Sequence, residues 1–244
     1  MSAIKVLVNG ARGRMGREAV AAVGRDQQLQ LAGENDLGDD LESSIRESGA
    51  EVVVDFTAPG AVFRNTEAII RMGVRPVIGT SGLLPEEVEE LKVLAAGKKI
   101  GGIIAPNFAV GAVLMMKFAA EAAKHLPDVE IIELHHEKKV DAPSGTAIKT
   151  AAMISDSREK PSEISRGKEI LPGARGARAE EVPIHSVRLP GLVAHQEVLF
   201  GGSSQTLSIR HDSIHRESFM PGVCLACCKV MDLDQLVYGL EYLL

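Results

Sequence analysis

The chain has 244 residues, enough for one or two domains whose core needs no disulfide or metal staples. Its 33 acidic residues against 27 basic ones (net charge −6) and its 3% aromatic content, without tryptophan, argue against two binding classes. A duplex binder needs a basic surplus, and a single-strand binder needs aromatic platforms on which to stack bases. No apolar run reaches the roughly 18 residues that a membrane span needs, so neither nucleic acid nor membrane is an expected partner.

The segment MSAIKVLVNG reads as a first strand rather than a secretory leader, because it lacks a long apolar region and a small-residue cleavage site. Ile4 to Val8 leads into Gly10-Ala11-Arg12-Gly13-Arg14-Met15-Gly16 and then a helix from Gly16 to about Val23. Leu29 to Ala32 reads as a second strand and Glu51 to Phe56 as a third. A helix over Ala61 to Met72 and a strand over Val74 to Ile78, broken by Pro76, follow. Next come a helix from Pro85 to Ala95 and a strand from Ile100 to Ala105. Short apolar strands alternating with helices mean βαβ units and a mostly parallel, doubly wound sheet of the Rossmann type.

After Asn107 the pattern changes. A helix spans Val113 to His125, a strand Glu130 to His135 and a helix Thr146 to about Asp156; residues 157–181 read as an exposed loop. Val182 to Leu189, Val193 to Phe200 and Gln205 to Arg210 are strand-like with no helices between them. That order points to a second α+β domain with a mixed or antiparallel sheet. Phe219 to Leu244 returns to helical spacing.

The glycine turn after the first strand suits a pyrophosphate. Glycines permit a tight turn and close backbone approach, and the following helix offers unbonded N–H groups and a positive dipole end. The spacing is G-x-x-G-x-x-G rather than the usual G-x-G-x-x-G. An acid at the end of the second strand should hold the adenosine ribose. Asp36, about 20 residues past Gly16, fits better than Glu34. Arg12 and Arg14 would tolerate a 2′-phosphate, so NADH and NADPH are both expected cofactors. Phe56-Thr57, Gly79-Thr80-Ser81 and Ala105-Pro106-Asn107-Phe108 each follow a strand. They should lie at the carboxyl edge of the sheet, where such folds bind ligands.

The densest chemical cluster is Glu133 to Ala147, which holds His135, His136, Lys138, Lys139, Asp141 and the turn Ser144-Gly145-Thr146. That turn opens a helix and suits a carboxylate or phosphate, and Lys139 adds a compact positive charge. His135, with an unperturbed pKa of about 6.5, can transfer a proton near neutrality. A metal bound by His135, His136 and Asp141 is disfavoured because adjacent strand residues point to opposite faces. Cys224, Cys227 and Cys228 share one helical face with apolar flanks and no fourth ligand nearby, so they read as small hydrophobes in a reducing cytoplasm. Two other readings are a semialdehyde dehydrogenase, which needs a catalytic cysteine, and a non-catalytic NADH-binding redox sensor, which leaves the basic cluster without a use.

Together these stretches resemble the 4-hydroxy-tetrahydrodipicolinate reductase (dihydrodipicolinate reductase) family. The matching segments are Gly10 to Gly16, Val54 to Thr57, Gly79 to Gly82, Ala105 to Gly111, Glu133 to Ala147, Val193 to Gly201 and Arg210 to Ser213. The resemblance implies an NAD(P)H-dependent reductase of diaminopimelate and lysine biosynthesis acting on a cyclic dicarboxylate. It implies that Gly10 to Met15 and Asp36 hold the nucleotide, and that Gly79, Thr80, Ser81 and Ala105 to Phe108 line the nicotinamide. It further implies His135 as proton donor or acceptor, Lys139 as a second catalytic group, and His136, Gly145 and Thr146 as carboxylate holders. It implies a division into 1–109 with 217–244 as a dinucleotide-binding domain and 110–216 as a substrate-binding and tetramerisation domain, with a homotetramer built through the sheet of the second domain.

Overall fold

A computed structural model describes residues 2–159 and 168–244; part of the expected loop 157–181 therefore lies outside the described residues. The chain divides into two compact units, Met1–Val110 with Arg216–Leu244, and Gly111–His215.

In the first unit, β1 (Ile4–Asn9), β3 (Val52–Asp55) and β4 (Arg75–Ile78) are runs of Val, Leu and Ile with almost no exposed side chain. Such runs belong to strands covered on both faces. With β2 (Leu29–Asn35), β5 (Gly102–Ile104) and β11 (Leu236–Tyr238) they form one parallel sheet in the order β11-β5-β4-β3-β1-β2. The connecting helices are α1 (Arg14–Arg25), α2 (Leu41–Ser48), α3 (Val62–Arg71) and α4 (Pro85–Lys98). β1 pairs with β2 on one side and β3 on the other, so the sheet reverses its direction of growth at the turn that follows β1. This is the switch point at which doubly wound sheets bind ligands.

Three elements of this unit differ from the sequence expectation. The helix α2 is short and buries only Ile45, so its apolar period is too weak to read. Its ends are nonetheless well specified: Asp40 accepts from the Ser43 N–H, and Gly49 closes the helix at φ +61°. β4 runs unbroken through Pro76. The N–H groups of Arg75 and Gly79 bond β3, so that of residue 76 would point at β5, whose pairing begins only at Val77. The end of the chain is α-helical over α7 (Met220–Lys229), with short 3-10 turns at Val230–Asp232 and Leu240–Tyr242; Leu236–Tyr238, expected as helix, becomes the edge strand β11. Three apolar residues carry no period of their own, and their pairing with Gly102–Ile104 decides their state.

The second unit contains α5 (Val110–Ala123), β6 (Asp128–His135), α6 (Gly145–Ser157), β7 (Ala177–Ala179), β8 (Val182–Arg188), β9 (Ala194–Gly202) and β10 (Gln205–Ser213). Its sheet order is β10-β9-β6-β8-β7, with β6 and β8 parallel and the other pairs antiparallel. β7 falls inside the segment expected as loop, because only its pairing with β8 makes three residues a strand. Along β6, Val129, Ile131 and Glu133 alternate inward, so a core-facing row ends in a carboxylate.

Gly222 places α7 directly on the loop after β5, since a Cβ there would overlap the Phe108 carbonyl. Gly222→Ala is expected to lower stability by about 1–3 kcal/mol, the usual cost of overpacking, read as a fall in the denaturation midpoint.

Candidate active site

The turn after β1 is shaped for close approach. Gly10 stands at φ +81°, and a side chain there would strike the Phe56 backbone. A Cβ on Gly16 would overlap the Gly10 carbonyl, so α1 can begin only this near the strand. Gly13 precedes α1 without a side-chain cap, which leaves its first N–H groups to an incoming anion. The Arg12 N–H donates to Asp36 Oδ2 at 2.6 Å, and that of Leu37 to Oδ1 at 2.8 Å. These two backbone donors, with Arg12 nearby, hold the Asp36 carboxyl below its ordinary range. A cavity of about 420 Å³ opens here, lined by Gly10, Gly13, Asp36, Phe56 and Asn65 among others. Glu34 does not line it. The glycine cradle, the uncapped helix end and the fixed carboxylate at the rim fit a dinucleotide.

Of the other turn residues, Ala11 is buried, Arg12 and Arg14 are exposed, and Met15 is half-buried. Arg12 reaches Asp39 at 3.7 Å across solvent. The residues expected around the nicotinamide divide into support and surface. Gly79 gives its Cβ space to the Phe56 ring. Phe108, only 2% exposed, meets that ring edge-on at 6.2 Å. Thr80 is buried and bonds Asp55, Ala105 is buried, and Asn107 accepts from the Ala109 N–H at 2.8 Å. Ser81 and Pro106 are exposed.

Beneath this edge lies a polar ladder that the sequence reading left without a role. Asp55, fully buried, accepts from Asn9 Nδ2 (2.7 Å), Thr80 Oγ1 (2.6 Å), Thr57 Oγ1 (2.8 Å) and Asn65 Nδ2 (3.0 Å). Asn9 Oδ1 in turn accepts from Asn35, and Asn35 Oδ1 from Ser44. One carboxylate thus ties the ends of β1, β2 and β3 to the loop after β4. The outward signal was Asp55 itself, an acid closing a Val-Val-Val run.

The second unit gathers the basic cluster. His135 closes β6, and its Nδ1 lies 2.5 Å from Glu133 Oε2. Glu133 is fully buried and also takes both arms of Arg188, at 2.8 and 2.7 Å, and the Ser144 N–H at 3.2 Å. Burial pulls the His135 pKa below 6.5; Glu133 opposes this, while Lys139 and Arg188 add to it. Burial likewise pushes Glu133 up, but its bonds to Arg188, Ser186 and His135 bring it below the usual carboxylate range. Lys139 Nζ sits 2.8 Å from both Asp141 oxygens, and His136 follows the strand end, half-buried. Ser144 is buried, and its hydroxyl caps α6 by accepting from the Ala147 N–H. The exposed Gly145 and the half-buried Thr146 then form the helix start, where the dipole favours an anion. The Ala142–Pro143 peptide in the same loop is cis. Glu133 and Arg188 are the residues that sequence reasoning missed. Arg188 lies 55 positions from its partner, beyond any local pattern.

The three thiols are free; Cys227 is fully buried, and burial pushes Cys224 up to about 11, which suits packing rather than nucleophilic use. Among the described residues no group of His, Cys, Asp and Glu is arranged to hold a metal ion, and no helix is long and apolar enough to cross a membrane.

Two family models match the chain: "Dihydrodipicolinate reductase, N-terminus" over residues 4–108 and "Dihydrodipicolinate reductase, C-terminus" over residues 111–244. The chain belongs to the dihydrodipicolinate reductase family. It is 53% identical to the 4-hydroxy-tetrahydrodipicolinate reductase of Geobacillus kaustophilus, with 99% of both chains covered. It is 52% identical to that of Coxiella burnetii, with 99% of this chain and 100% of the relative covered. A solved structure, the dipicolinate-bound dihydrodipicolinate reductase from Paenisporosarcina sp. TG-14, superposes with a TM-score of 0.91 at 46% identity, covering 99% of this chain and 100% of the other. An amine dehydrogenase from Mycobacterium smegmatis, at TM-score 0.67 and 14% identity, shares the fold alone. In this family member the C-terminal segment continues past the second unit and returns to the first through α7 and β11.

Burial lowers the pKa of His211 as well as that of His135, so the unfolded chain takes up these protons first. Stability is therefore expected to fall as pH drops below about 6.5. Further loss is expected as acid protonates Glu133 and the other carboxylates held low. A denaturation midpoint followed from pH 8 downward checks this.

Proposed function

We propose that this chain reduces 4-hydroxy-tetrahydrodipicolinate to tetrahydrodipicolinate in diaminopimelate and lysine biosynthesis, using NADH or NADPH. Gly10, Ala11, Arg12, Gly13, Arg14, Met15 and Asp36 hold the dinucleotide, and Phe56, Gly79 to Ser81 and Ala105 to Phe108 serve its nicotinamide end. When bound, the nicotinamide supplies a hydride to a ring carbon of the substrate's conjugated C=N system.

The observation that carries the reading is the cluster at the end of β6. There an imidazole, an ammonium group and a helix start lie within one short segment. Lys139 and the turn Ser144-Gly145-Thr146 bind a carboxylate, with His136 beside them. Asp141 accepts from the Lys139 ammonium through both carboxylate oxygens. His135 moves the proton that balances the added hydride. Its Nδ1 is committed to Glu133, so Nε2 is the atom that exchanges it. Burial, with the cationic neighbours Lys139 and Arg188 adding to it, favours the neutral form of the resting imidazole; a dianionic substrate beside it offsets the cations and raises its proton affinity.

The same reading places the enzyme in a reducing cytoplasm, in keeping with three free thiols, and makes it a homotetramer through the sheet of the second unit. Support for the latter is the edge strand β10, exposed from Gln205 to Ser208.

The test is dinucleotide oxidation followed with and without the cyclic dicarboxylate. Oxidation that requires the dicarboxylate is expected. His135→Ala should lower kcat by about two to four powers of ten; unchanged turnover removes His135 from the chemistry. Asp36→Ala should raise KM for NADH more than for NADPH, because the lost carboxylate bonds the ribose hydroxyls that NADPH replaces with phosphate.

A further inference from the structure

We propose that Glu133 and Arg188 are positioning residues that lock His135 in the tautomer with its proton on Nδ1 and tie it to the carboxylate-binding turn. This rests on the reading of His135 as the proton-transfer group and adds how that group is oriented.

Glu133 occupies a core position in the inward row Val129, Ile131, Glu133, with no exposed surface. An uncompensated carboxylate there would cost several kcal/mol or take up a proton. The guanidinium fork of Arg188 prevents this with two bonds, one to each oxygen. An ionised carboxylate can only accept, so the nitrogen at 2.5 Å from Oε2 must donate. That leaves Nε2 with its lone pair outward. The spacing follows from the strand: residues 133 and 135 lie on one face, so the carboxylate and the imidazole are neighbours by construction.

The same carboxylate accepts from the Ser144 N–H at the start of α6. Arg188 Nη2 also donates to the Asp141 carbonyl at 2.8 Å, in the loop that bears Lys139. The imidazole, the ammonium-bearing loop and the helix start are therefore fastened to one buried ion pair. A pair needed only for stability could be exchanged for apolar residues with little loss. Here the carboxylate's remaining capacity goes to the imidazole and to the anion-binding turn. The charged groups that face the ring are Glu133 on its own strand, Arg188 on β8, and Lys139 with its partner Asp141 in the following loop. His195 on β9 pairs in register with Leu134 and bonds Asp212 instead.

The decisive measurement is made on the resting protein without substrate. Long-range proton–nitrogen correlations of histidine-labelled protein, with the His135 signals assigned by their loss in His135→Ala, report the tautomer directly. A protonated Nδ1 and a bare Nε2 are expected; a protonated Nε2, or a mixture, overturns the proposal. Glu133→Gln should lower kcat by about 10- to 100-fold with the dinucleotide KM unchanged. It should also move the His135 limb of the kcat pH profile to lower pH, since the anionic partner is gone. If that variant fails to fold around an unpaired Arg188, Glu133→Leu combined with Arg188→Met removes both charges. A folded double variant with wild-type turnover and pH profile would show the pair to be structural only and would end the proposal; loss of turnover with the limb displaced supports it. Should neither variant fold, the wild-type tautomer decides alone. Full activity in His135→Ala would instead sink the underlying reading, whatever the tautomer.

Discussion

A carboxyl group placed where a side chain is fully buried must find hydrogen-bond partners, and Glu133 and Asp55 both meet that constraint. Glu133 ends the inward row of β6, and Asp55 ends the apolar run of β3. Each stands at the carboxyl end of an interior strand and gathers donors from elements far apart in the chain. Glu133 joins β6, β8 and the start of α6; Asp55 joins β1, β3, α3 and the loop after β4. The groups that are to touch ligands are then held by atoms that cannot move without leaving a buried polar group unpaired.

This explains why the site residues lie where they do. Loops at strand ends are the natural place for binding groups, but a loop alone positions a side chain poorly. In the first unit the Asp55 ladder fixes Thr57 and Thr80, and the packed pair Phe56 and Phe108 fills the space that Gly79 leaves. In the second unit the Glu133 and Arg188 pair fixes the imidazole and the helix start together. Several residues expected to line the ligands have side chains that are engaged or buried within the protein. The hydroxyl of Ser144 caps α6, that of Thr80 bonds Asp55, and the ring of Phe108 is buried.

Much of the fold was legible without coordinates, because its signals are local. Val-rich runs between helices announce a parallel sheet, and a glycine turn after the first of them announces a close approach. The departures have a common cause. β7 and β11 are three residues each and become strands only by pairing with distant partners. α2 carries too few apolar residues to show a period, although Asp40 and Gly49 mark its ends. Pro76 read as a break, yet its missing N–H falls where no ladder bond is needed.

The candidate site shows the same division. His135, Lys139 and the Ser144-Gly145-Thr146 turn fall within one short segment, and residue types at close spacing could be read as proton transfer beside an anion site. Asp36 could be placed by its distance from the glycine turn. What surrounds these groups depended on the tertiary structure. The nitrogen that His135 presents, the ionisation of Glu133 and the anchoring of the loop all require Arg188, which arrives from a different strand. Local chemistry depends on residue type and neighbours along the chain, and one dimension holds that information. Tautomer, pKa and orientation depend on fields and hydrogen bonds that only packing in three dimensions creates.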